Sequence, residues 1–228
     1  MITSASNPRL RLVRRLGSAS QRRRLGLFAA EGEDLVQAGL DAGLEPVDVL
    51  TAGVDVEPEL LANVSDLPHP PRVIAVFRSA DLAEQLPSSS LLLGLALWHV
   101  ADPGNVGTLI RTADVFDAFV ALSAGCADPT SSKALRASAG AIFRVPLLDF
   151  DEAPGPHVAL VAHGGVPLGE IDLSGRVTFV LGAEREGVPP AVLARCDAKA
   201  SIPMAGHGES LNVAVAGAIA LYELSRRG

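Results

Sequence analysis

Apolar and polar positions in the first third of the chain follow short helical and strand-like patterns. Leu10, Val13 and Leu16 are apolar at helical spacing among arginines, which predicts one or two short basic helices within the first 30 residues. The same reasoning then predicts a helix, a strand, a second helix and a second strand at residues 35–40, 47–50, 58–63 and 73–77. These elements predict a small α/β domain.

From Leu91 onward the chain is more apolar, and strand-like runs alternate with helix-like segments. The run LLLGLALWHV at 91–100 is typical of a strand buried on both faces of a parallel sheet. Further strands are predicted at 119–122, 157–162 and 177–181, and a helix at 131–139. This alternation predicts an α/β fold in which helices cover both faces of a parallel sheet.

The segment SADLAEQLPSSS at 79–90 predicts a short helix followed by a proline- and serine-rich connection. We place a domain boundary there. The prediction is a small α/β domain at 1–88 with a basic N-terminal arm, followed by a larger α/β domain at 89–228.

The segment IPMAGHGESLNVAVAGAIALYE at 202–223 combines a glycine-rich loop with a helix of small and aliphatic residues. Ser210 is a candidate N-cap, which would place Asn212 in the first turn among unpaired backbone N–H groups. The helix is apolar nearly all round, so we expect it to be buried. Polar residues at the mouth of a buried helix indicate a site, although a capped core helix explains the same residues.

Ligand-binding loops of a parallel sheet lie at the carboxyl ends of its strands. Four loops have this position: 102–107, 162–165, 182–187 and 205–210. The chain has no G-x-G-x-x-G dinucleotide fingerprint, P-loop or nucleophile elbow, and its five histidines are scattered. The pattern disfavours a nucleotide-dependent oxidoreductase and a metal centre.

The net charge of −7 is unevenly distributed. Seven arginines precede the first acidic residue, Glu31, and the rest of the chain has 12 basic residues against 26 acidic ones. This division predicts a basic arm for phosphate contacts on an acidic body, with a solvated helix face as the alternative. The arginines are Arg9, Arg11, Arg14, Arg15, Arg22, Arg23 and Arg24.

Only two cysteines are present, Cys126 and Cys196, and they lack zinc-site spacing, which favours a reducing intracellular setting. No stretch reaches the roughly 18 apolar residues that span a bilayer, and no secretory signal pattern is evident. We therefore expect a soluble cytoplasmic protein without membrane association.

Three ordered segments resemble the signature motifs of the SpoU (TrmH-like) RNA ribose methyltransferases of the SPOUT class. They are DPGNVGTLIRTAD, FVLGAEREGV and IPMAGHGESLNVAVAGAIALYE. The opening SNPRLRLVRRL, followed by GLFAAEGEDLVQAGL, is similar to the N-terminal substrate-binding domain of members that act on ribosomal RNA. The resemblance covers both predicted domains.

The resemblance implies a C-terminal trefoil knot and a homodimer with active sites at the subunit interface. It also implies S-adenosylmethionine as cofactor, bound mainly by backbone groups, and no metal. By position in the motifs, the cofactor contacts are Gly182, Ile202 and Leu211, with Leu181, Met204 and Val213 lining the same pocket.

The resemblance also implies catalytic residues. Arg111 matches the essential arginine, which we expect to hold a phosphate and stabilise developing alkoxide charge, because guanidinium is always protonated. Asn105, Glu184, Ser210 and Asn212 match motif positions with orienting roles. The RNA contacts are expected from Arg9, Arg11, Arg14, Arg15, Arg22 and Arg23.

These observations predict an S-adenosylmethionine-dependent RNA 2′-O-ribose methyltransferase acting on ribosomal RNA of the 23S type. Two alternatives stay open at this point: a transfer-RNA 2′-O-methyltransferase, and a non-catalytic RNA-binding or ribosome-assembly factor on the same fold. Affinity for S-adenosylmethionine separates the last from the enzymes.

Overall fold

A computed structural model of the chain describes residues 1–65, 67, 69–83, 92–172 and 175–226. The predicted domain boundary at 88/89 falls outside the described residues. Within the described part, no helix is long and apolar enough to cross a membrane.

The N-terminal part contains a three-stranded antiparallel sheet with strand order β1-β3-β2. The helix and two strands predicted from residue 47 to residue 77 are confirmed, whereas β1 was not predicted. The elements are α1 (Pro8–Leu16), α2 (Ala19–Leu25), β1 (Leu27–Glu31), α3 (Glu33–Asp41), β2 (Asp48–Thr51), α4 (Pro58–Ala62), β3 (Val73–Arg78) and α5 (Ala80–Ala83).

Helix α1 begins where the sequence supplies a start signal. The side chain of Asn7 accepts a hydrogen bond from the backbone N–H of Arg9, and a proline occupies the first helical position, where no N–H partner is needed. Leu10, Val13 and Leu16 are buried under the small sheet, as their spacing predicted. The arginines between them consequently point to the outer side of α1 or to its edges.

The C-terminal part is a seven-stranded sheet in which every neighbouring pair is parallel, with strand order β6-β5-β4-β9-β7-β10-β8. The predicted parallel sheet is confirmed. The elements are β4 (Leu93–Leu97), α6 (Pro103–Val115), β5 (Phe119–Leu122), α7 (Ser132–Ser138), β6 (Leu147–Asp149), β7 (His157–Leu160), β8 (Val166–Pro167), β9 (Val177–Leu181), α8 (Pro190–Leu193), β10 (Ala198–Ser201) and α9 (Val213–Ser225), with 3-10 turns at Ala141–Phe143 and Phe150–Glu152.

Strand β4 shows why the large sheet is apolar on both faces. Leu95 and Leu97 pack on the side of α6 and α9, whereas Ala96 packs with Val192 of α8 on the other side. Alternate residues of a strand point to opposite faces, so helices on both faces require a continuous apolar run. The strand ends before His99, whose φ of 54° is not a strand conformation.

The two sheets share one hydrophobic core. Phe28 and Phe77 of the small sheet pack against Phe143 beside the large sheet, with ring centroids 6.2 and 5.5 Å apart. On α3, a Cβ at Gly39 would lie 2.9 Å from the Phe77 ring and 3.3 Å from the Phe143 ring. The close fit fixes the N-terminal part against the large sheet.

The last helix differs from its prediction in two respects. It begins at Val213 with Asn212 as N-cap, so the prediction of Ser210 as N-cap was wrong. The expectation of burial all round was also wrong, because Val215 and Tyr222 are 47% and 54% exposed. Apolar residues seven positions apart lie on the same face of a helix, so α9 has one exposed apolar face. The strand order does not define chain threading, and the knot stays a prediction.

Candidate functional site

Three loops at the carboxyl edge of the large sheet enclose a cavity of about 440 Å³. The loops follow β9, β7 and β10, which are neighbours in the sheet, and the start of α9 completes the wall. Glu184 and Ser210 line the cavity. The six residues predicted to bind the cofactor line it as well: Leu181, Gly182, Ile202, Met204, Leu211 and Val213.

Gly182 marks the closest approach of two backbone segments at the cavity. A Cβ at this position would lie 2.0 Å from the carbonyl carbon of Gly187 and 2.3 Å from the nitrogen of Val188. The loop turns back on itself, because the N–H of Gly187 donates to the carbonyl oxygen of Ala183 at 2.8 Å. No side chain fits at position 182, and the loop therefore offers bare backbone groups to the cavity.

The cavity wall combines apolar side chains with backbone from three loops, and charged residues stand at its rim. Its volume lies in the usual range of small-molecule sites, about 300–1,000 Å³. The sequence analysis selected the loop at 162–165 by its position after a strand but named no residue in it. The structure adds His163 from that loop, together with Arg185, Glu186 and Glu209.

Asn212 holds the beginning of α9. Its Oδ1 accepts hydrogen bonds from the backbone N–H groups of Ala214 at 2.8 Å and Val215 at 3.3 Å. Because the oxygen faces these donors, the amide nitrogen must point away from the helix. The Asn212 amide therefore has a fixed orientation, with its nitrogen directed toward Asn105 of α6.

A chain of side-chain hydrogen bonds joins the three motif segments. The Asn212 Nδ2 donates to Oδ1 of Asn105 at 3.1 Å, and the Asn105 Nδ2 donates to Oε1 of Glu184 at 2.8 Å. The backbone N–H of Asn105 is held by Oδ1 of Asp102 at 3.0 Å, the N-cap of α6. Asn105 and Asn212 are not among the cavity-lining residues, and they act on the cavity through Glu184.

Asp102 forms an ion pair with Lys133 from the first turn of α7, with Oδ2 and Nζ 2.7 Å apart. The hydrogen bond from Lys133 lowers the pKa of Asp102, and the backbone N–H of Asn105 lowers it further. Nothing in the sequence pattern distinguished Asp102 and Lys133 as an interacting pair. It extends the chain of contacts from Glu184 to α7.

The structure of a single chain does not bring Arg111 into the cavity. Arg111 is exposed on α6, lies outside the cavity lining, and has no hydrogen-bond or ion-pair partner among the described residues. Relative to Asn105 it lies six residues further along the helix, which is about 9 Å along the axis and about 120° around it. Its position on the same helix face as exposed Val115, four residues on, places it beside an apolar surface.

The six predicted RNA-contacting arginines have different environments. Arg11, Arg14, Arg15 and Arg23 are exposed. Arg9 binds the Asp48 carboxylate through Nε at 2.9 Å and the Val49 carbonyl oxygen through Nη2 at 2.7 Å, and the hydrogen bond to Asp48 raises the pKa of Arg9.

Arg22 is buried and paired. Its Nη2 donates to Oδ2 of Asp128 at 2.7 Å, and its Nη1 donates to the carbonyl oxygens of Leu16 at 2.7 Å and Gly17 at 3.1 Å. The side chain is only 6% exposed. Arg22 therefore joins the turn between α1 and α2 to the loop after β5, and its guanidinium does not face solvent.

The described residues contain no group of three or more His, Cys, Asp or Glu side chains arranged to hold a metal ion.

Comparison with known proteins identifies relatives along the whole chain. The SpoU rRNA Methylase family matches residues 93–222. A Bacillus subtilis protein named as a 23S rRNA guanosine 2′-O-methyltransferase, RlmP, is 32% identical over 249 residues, covering 98% of this chain and 98% of the relative.

Solved structures agree with this assignment. An AdoMet-bound rRNA methyltransferase from Sinorhizobium meliloti superposes with a TM-score of 0.87 at 30% identity, covering 99% of this chain and 97% of the other. The SpoU methyltransferase AviRb from Streptomyces viridochromogenes, also in complex with AdoMet, gives 0.85 at 27% identity, covering 97% and 98%. This chain therefore belongs to the SpoU rRNA methylase family.

Proposed function

We propose that this protein is an S-adenosylmethionine-dependent RNA 2′-O-ribose methyltransferase that acts on ribosomal RNA of the 23S type. The observation that supports the proposal most strongly is the cavity at the carboxyl edge of the large sheet, which gathers all six residues selected as cofactor contacts from two separate motifs. Relatives named as 23S rRNA 2′-O-methyltransferases favour ribosomal over transfer RNA.

The cavity fits S-adenosylmethionine by the chemistry of its wall. Leu181, Ile202 and Leu211 supply apolar surface for an adenine ring, and the backbone exposed at Gly182 supplies donors and acceptors for its polar edge. When bound, S-adenosylmethionine supplies a methyl group on a sulfonium, and the leaving group is a neutral thioether once the ribose 2′-oxygen has taken the methyl.

The chain's own residues then have to align the ribose. Asn105, Glu184 and Asn212 form the fixed hydrogen-bonded row at the cavity rim, and Ser210 adds a hydroxyl on the wall. The row is held at Asn212 by the first turn of α9 and at Asn105 by Asp102, so it limits the positions of the Glu184 carboxylate, which can accept a hydrogen bond from the ribose. Alignment of this kind is the main contribution a protein can make to in-line displacement.

Arg111 is proposed to stabilise the negative charge that develops on the 2′-oxygen of the ribose. A guanidinium stabilises an alkoxide and an adjacent phosphate without accepting the hydroxyl proton, which passes to water or a phosphate oxygen. Since Arg111 lies outside the cavity of its own chain, it has to act at the RNA side of the site or across a subunit interface.

A homodimer is part of the proposal. Helices α6 and α9 pack together and leave Val115, Val215 and Tyr222 exposed, the first by 73%. Exposed apolar surface of this kind marks an association site. Arg111 lies four residues before Val115 on α6, so a dimer formed through this surface would place Arg111 at the subunit interface.

The N-terminal part, predicted as residues 1–88, is proposed to bind RNA through the exposed arginines of α1 and α2, namely Arg11, Arg14, Arg15 and Arg23. Arg9 and Arg22 instead form hydrogen bonds within the protein that stabilise the fold. Because ribosomal RNA is the proposed substrate, the protein is expected to act in the cytoplasm.

The proposal is tested by calorimetric titration with S-adenosylmethionine and with S-adenosylhomocysteine, followed by mapping of 2′-O-methylated nucleotides in RNA from cells with and without the protein. Micromolar cofactor binding and the loss of one ribosomal 2′-O-methyl group are expected. Absence of cofactor binding, with and without RNA, would support the non-catalytic factor instead. Loss of a transfer-RNA methyl group would overturn the ribosomal substrate alone.

A further inference from the structure

A cleft of about 250 Å³ lies between the basic helix α1 and the start of α7, separate from the cofactor cavity. Its walls come from α1, β1, the segment after α4 and the start of α7. Nothing in the proposed chemistry uses this cleft. Its lining residues are Val13, Arg14, Leu16, Gly17, Arg22, Ala29, Glu31, Asn63, Val64, Ser65, Thr130 and Ser132.

Most polar side chains inside the cleft are hydrogen-bonded within the protein, whereas two on its lining are available to a ligand. Inside it, Ser65 donates to Glu31, Thr130 donates to Asp128, and Arg136 donates to Ser132. By contrast, Arg14 and Asn63 are exposed, and their side chains have no partner among the described residues. The cleft therefore offers a guanidinium and an amide to a ligand.

The shape and composition of the cleft fit one unpaired nucleotide. Its volume of about 250 Å³ is slightly below the usual range of small-molecule sites, about 300–1,000 Å³, so the cleft has room for part of an RNA strand. Polar groups dominate the recognition, because Val13 and Val64 on the floor of the cleft are only 4% and 9% exposed. The Asn63 amide can donate to and accept from a base edge, and Arg14 can bind a phosphate.

A continuous row of contacts connects the cleft to the catalytic rim. Ser132 lines the cleft, and the next residue, Lys133, pairs with Asp102, which in turn holds the backbone N–H of Asn105. Arg22 fixes α1 and α2 relative to the loop after β5. These contacts hold the cleft at a fixed distance from Glu184. A recognition site for a second nucleotide of the same RNA strand requires such a fixed distance.

We propose that this cleft binds an unpaired nucleotide of the substrate RNA, remote from the methylated nucleotide, and contributes to substrate selection. Arg14 binds its phosphate, and Asn63 reads its base edge. The inference rests on the proposed RNA substrate, and it adds a specificity site to that function.

The test compares Asn63→Ala, Arg14→Ala and the control Arg176→Ala on full-length protein. Arg176 is an exposed arginine next to the amino end of β9, at the opposite edge of the sheet from the cavity. The probe is 23S rRNA extracted from cells lacking the protein. Binding is measured by filter retention over a series of salt concentrations, and S-adenosylmethionine binding is measured by calorimetry.

Asn63→Ala is expected to weaken RNA binding about fivefold to tenfold without changing its salt dependence, since a base contact is lost. Arg14→Ala is expected to weaken binding by a similar factor and to reduce the salt slope by about 0.7 to 0.9, as for one phosphate contact. Arg176→Ala should stay within about twofold, and all three variants should bind cofactor as the wild type does.

Asn63→Ala is the decisive variant, because general attraction between RNA and a basic arm predicts no effect for a neutral residue. If Asn63→Ala binds RNA with wild-type affinity, the cleft is not a nucleotide-binding site, and the methyltransferase proposal is unaffected. A wild-type protein that neither binds S-adenosylmethionine nor methylates this RNA overturns the proposed function and the cleft with it.

Discussion

Asn105 and Glu184 are 79 positions apart in the chain, and the Asn105 Nδ2 donates a hydrogen bond to the Glu184 Oε1 at 2.8 Å. The contact joins the first turn of α6, which follows β4, to the loop after β9, and β4 and β9 are neighbouring strands of the sheet. Asn105 also accepts from Asn212 at 3.1 Å, so its amide has one possible orientation. The hydrogen bond therefore has a defined donor and a defined acceptor, and substitutions can exchange the two roles.

Asn105→Asp should lower the rate of methyl transfer about tenfold to a hundredfold. The substitution replaces a donor by a second carboxylate and leaves Glu184 without its partner, which is a loss of about 1–3 kcal/mol. Adding Glu184→Gln should restore part of the rate, because the new amide can donate to the carboxylate introduced at position 105, in the reverse direction. Single-turnover methyl transfer to ribosomal RNA gives the rates. Strictly additive effects in the double variant would rule out a functional contact between the two side chains.

Gly182→Ala should abolish cofactor binding, or weaken it by at least about a hundredfold. The new Cβ would lie 2.0 Å from the Gly187 backbone, so the loop must move away from the position that forms the cavity. Gly169→Ala is the matched control, because nothing lies within 4 Å of a Cβ there. Calorimetry with S-adenosylmethionine and circular dichroism on both variants separate loss of the site from loss of the fold. A Gly182→Ala protein with wild-type affinity would contradict the role of this close approach.

Arg22→Ala should lower the free energy of unfolding by about 3 kcal/mol, because it leaves two carbonyl oxygens and the Asp128 carboxylate without their buried donor. The adjacent exposed Arg23→Ala should change it by no more than about 0.5 kcal/mol. Urea unfolding of the two variants measures the difference. Equal stability of Arg22→Ala and Arg23→Ala would show that the buried pair does not hold the arm.

The local pattern of apolar residues predicted the elements in which buried side chains recur at a regular spacing. Leu10, Val13 and Leu16 defined α1, and the apolar run around Leu95 defined the central strand of the large sheet. Strand β10, by contrast, has the sequence AKAS, in which four residues with only two alanines on one face give too weak an apolar signal to predict a strand. Its pairing with β7 and β8 is decided by the sheet around it, and no single-segment signal contains that information.

The resemblance to the family motifs selected six residues that the fold brings to one cavity, whereas nothing in the sequence predicted the division among the arginines. That these six residues bind the cofactor stays a prediction. All arginines of the arm look alike in sequence, and only the tertiary partner Asp128, 106 positions away from Arg22, distinguishes the buried one. Likewise, Ser210 and Asn212 are both good N-caps, and the two N–H donors reached by Asn212 decided between them.

Arg111 lies beside the exposed apolar face that α6 and α9 form. If Arg111 acts across a homodimer interface, a chain with Arg111→Ala retains a sound cofactor cavity but lacks the arginine that its partner would need. A chain with Leu211→Arg has the reverse defect, because Leu211 lines the cavity and is 40% exposed, which lets the fold accept the substitution. Each pure variant should lose about a hundredfold to a thousandfold in methyl transfer, as expected when one charge-stabilising donor or the cofactor site is removed.

Mixing the two variants under conditions of subunit exchange should then restore activity, because half of the sites in each mixed dimer combine an intact cavity with an intact Arg111. Sedimentation velocity measures whether the wild type is a dimer, and Tyr222→Asp should shift it toward the monomer by placing a charge on the exposed apolar face. An Arg111 that acts within its own chain predicts no recovery on mixing, since neither chain then has a complete site. The recovered rate therefore distinguishes the two arrangements directly, and Arg111→Lys in the same assay shows whether the forked guanidinium or only its charge is needed.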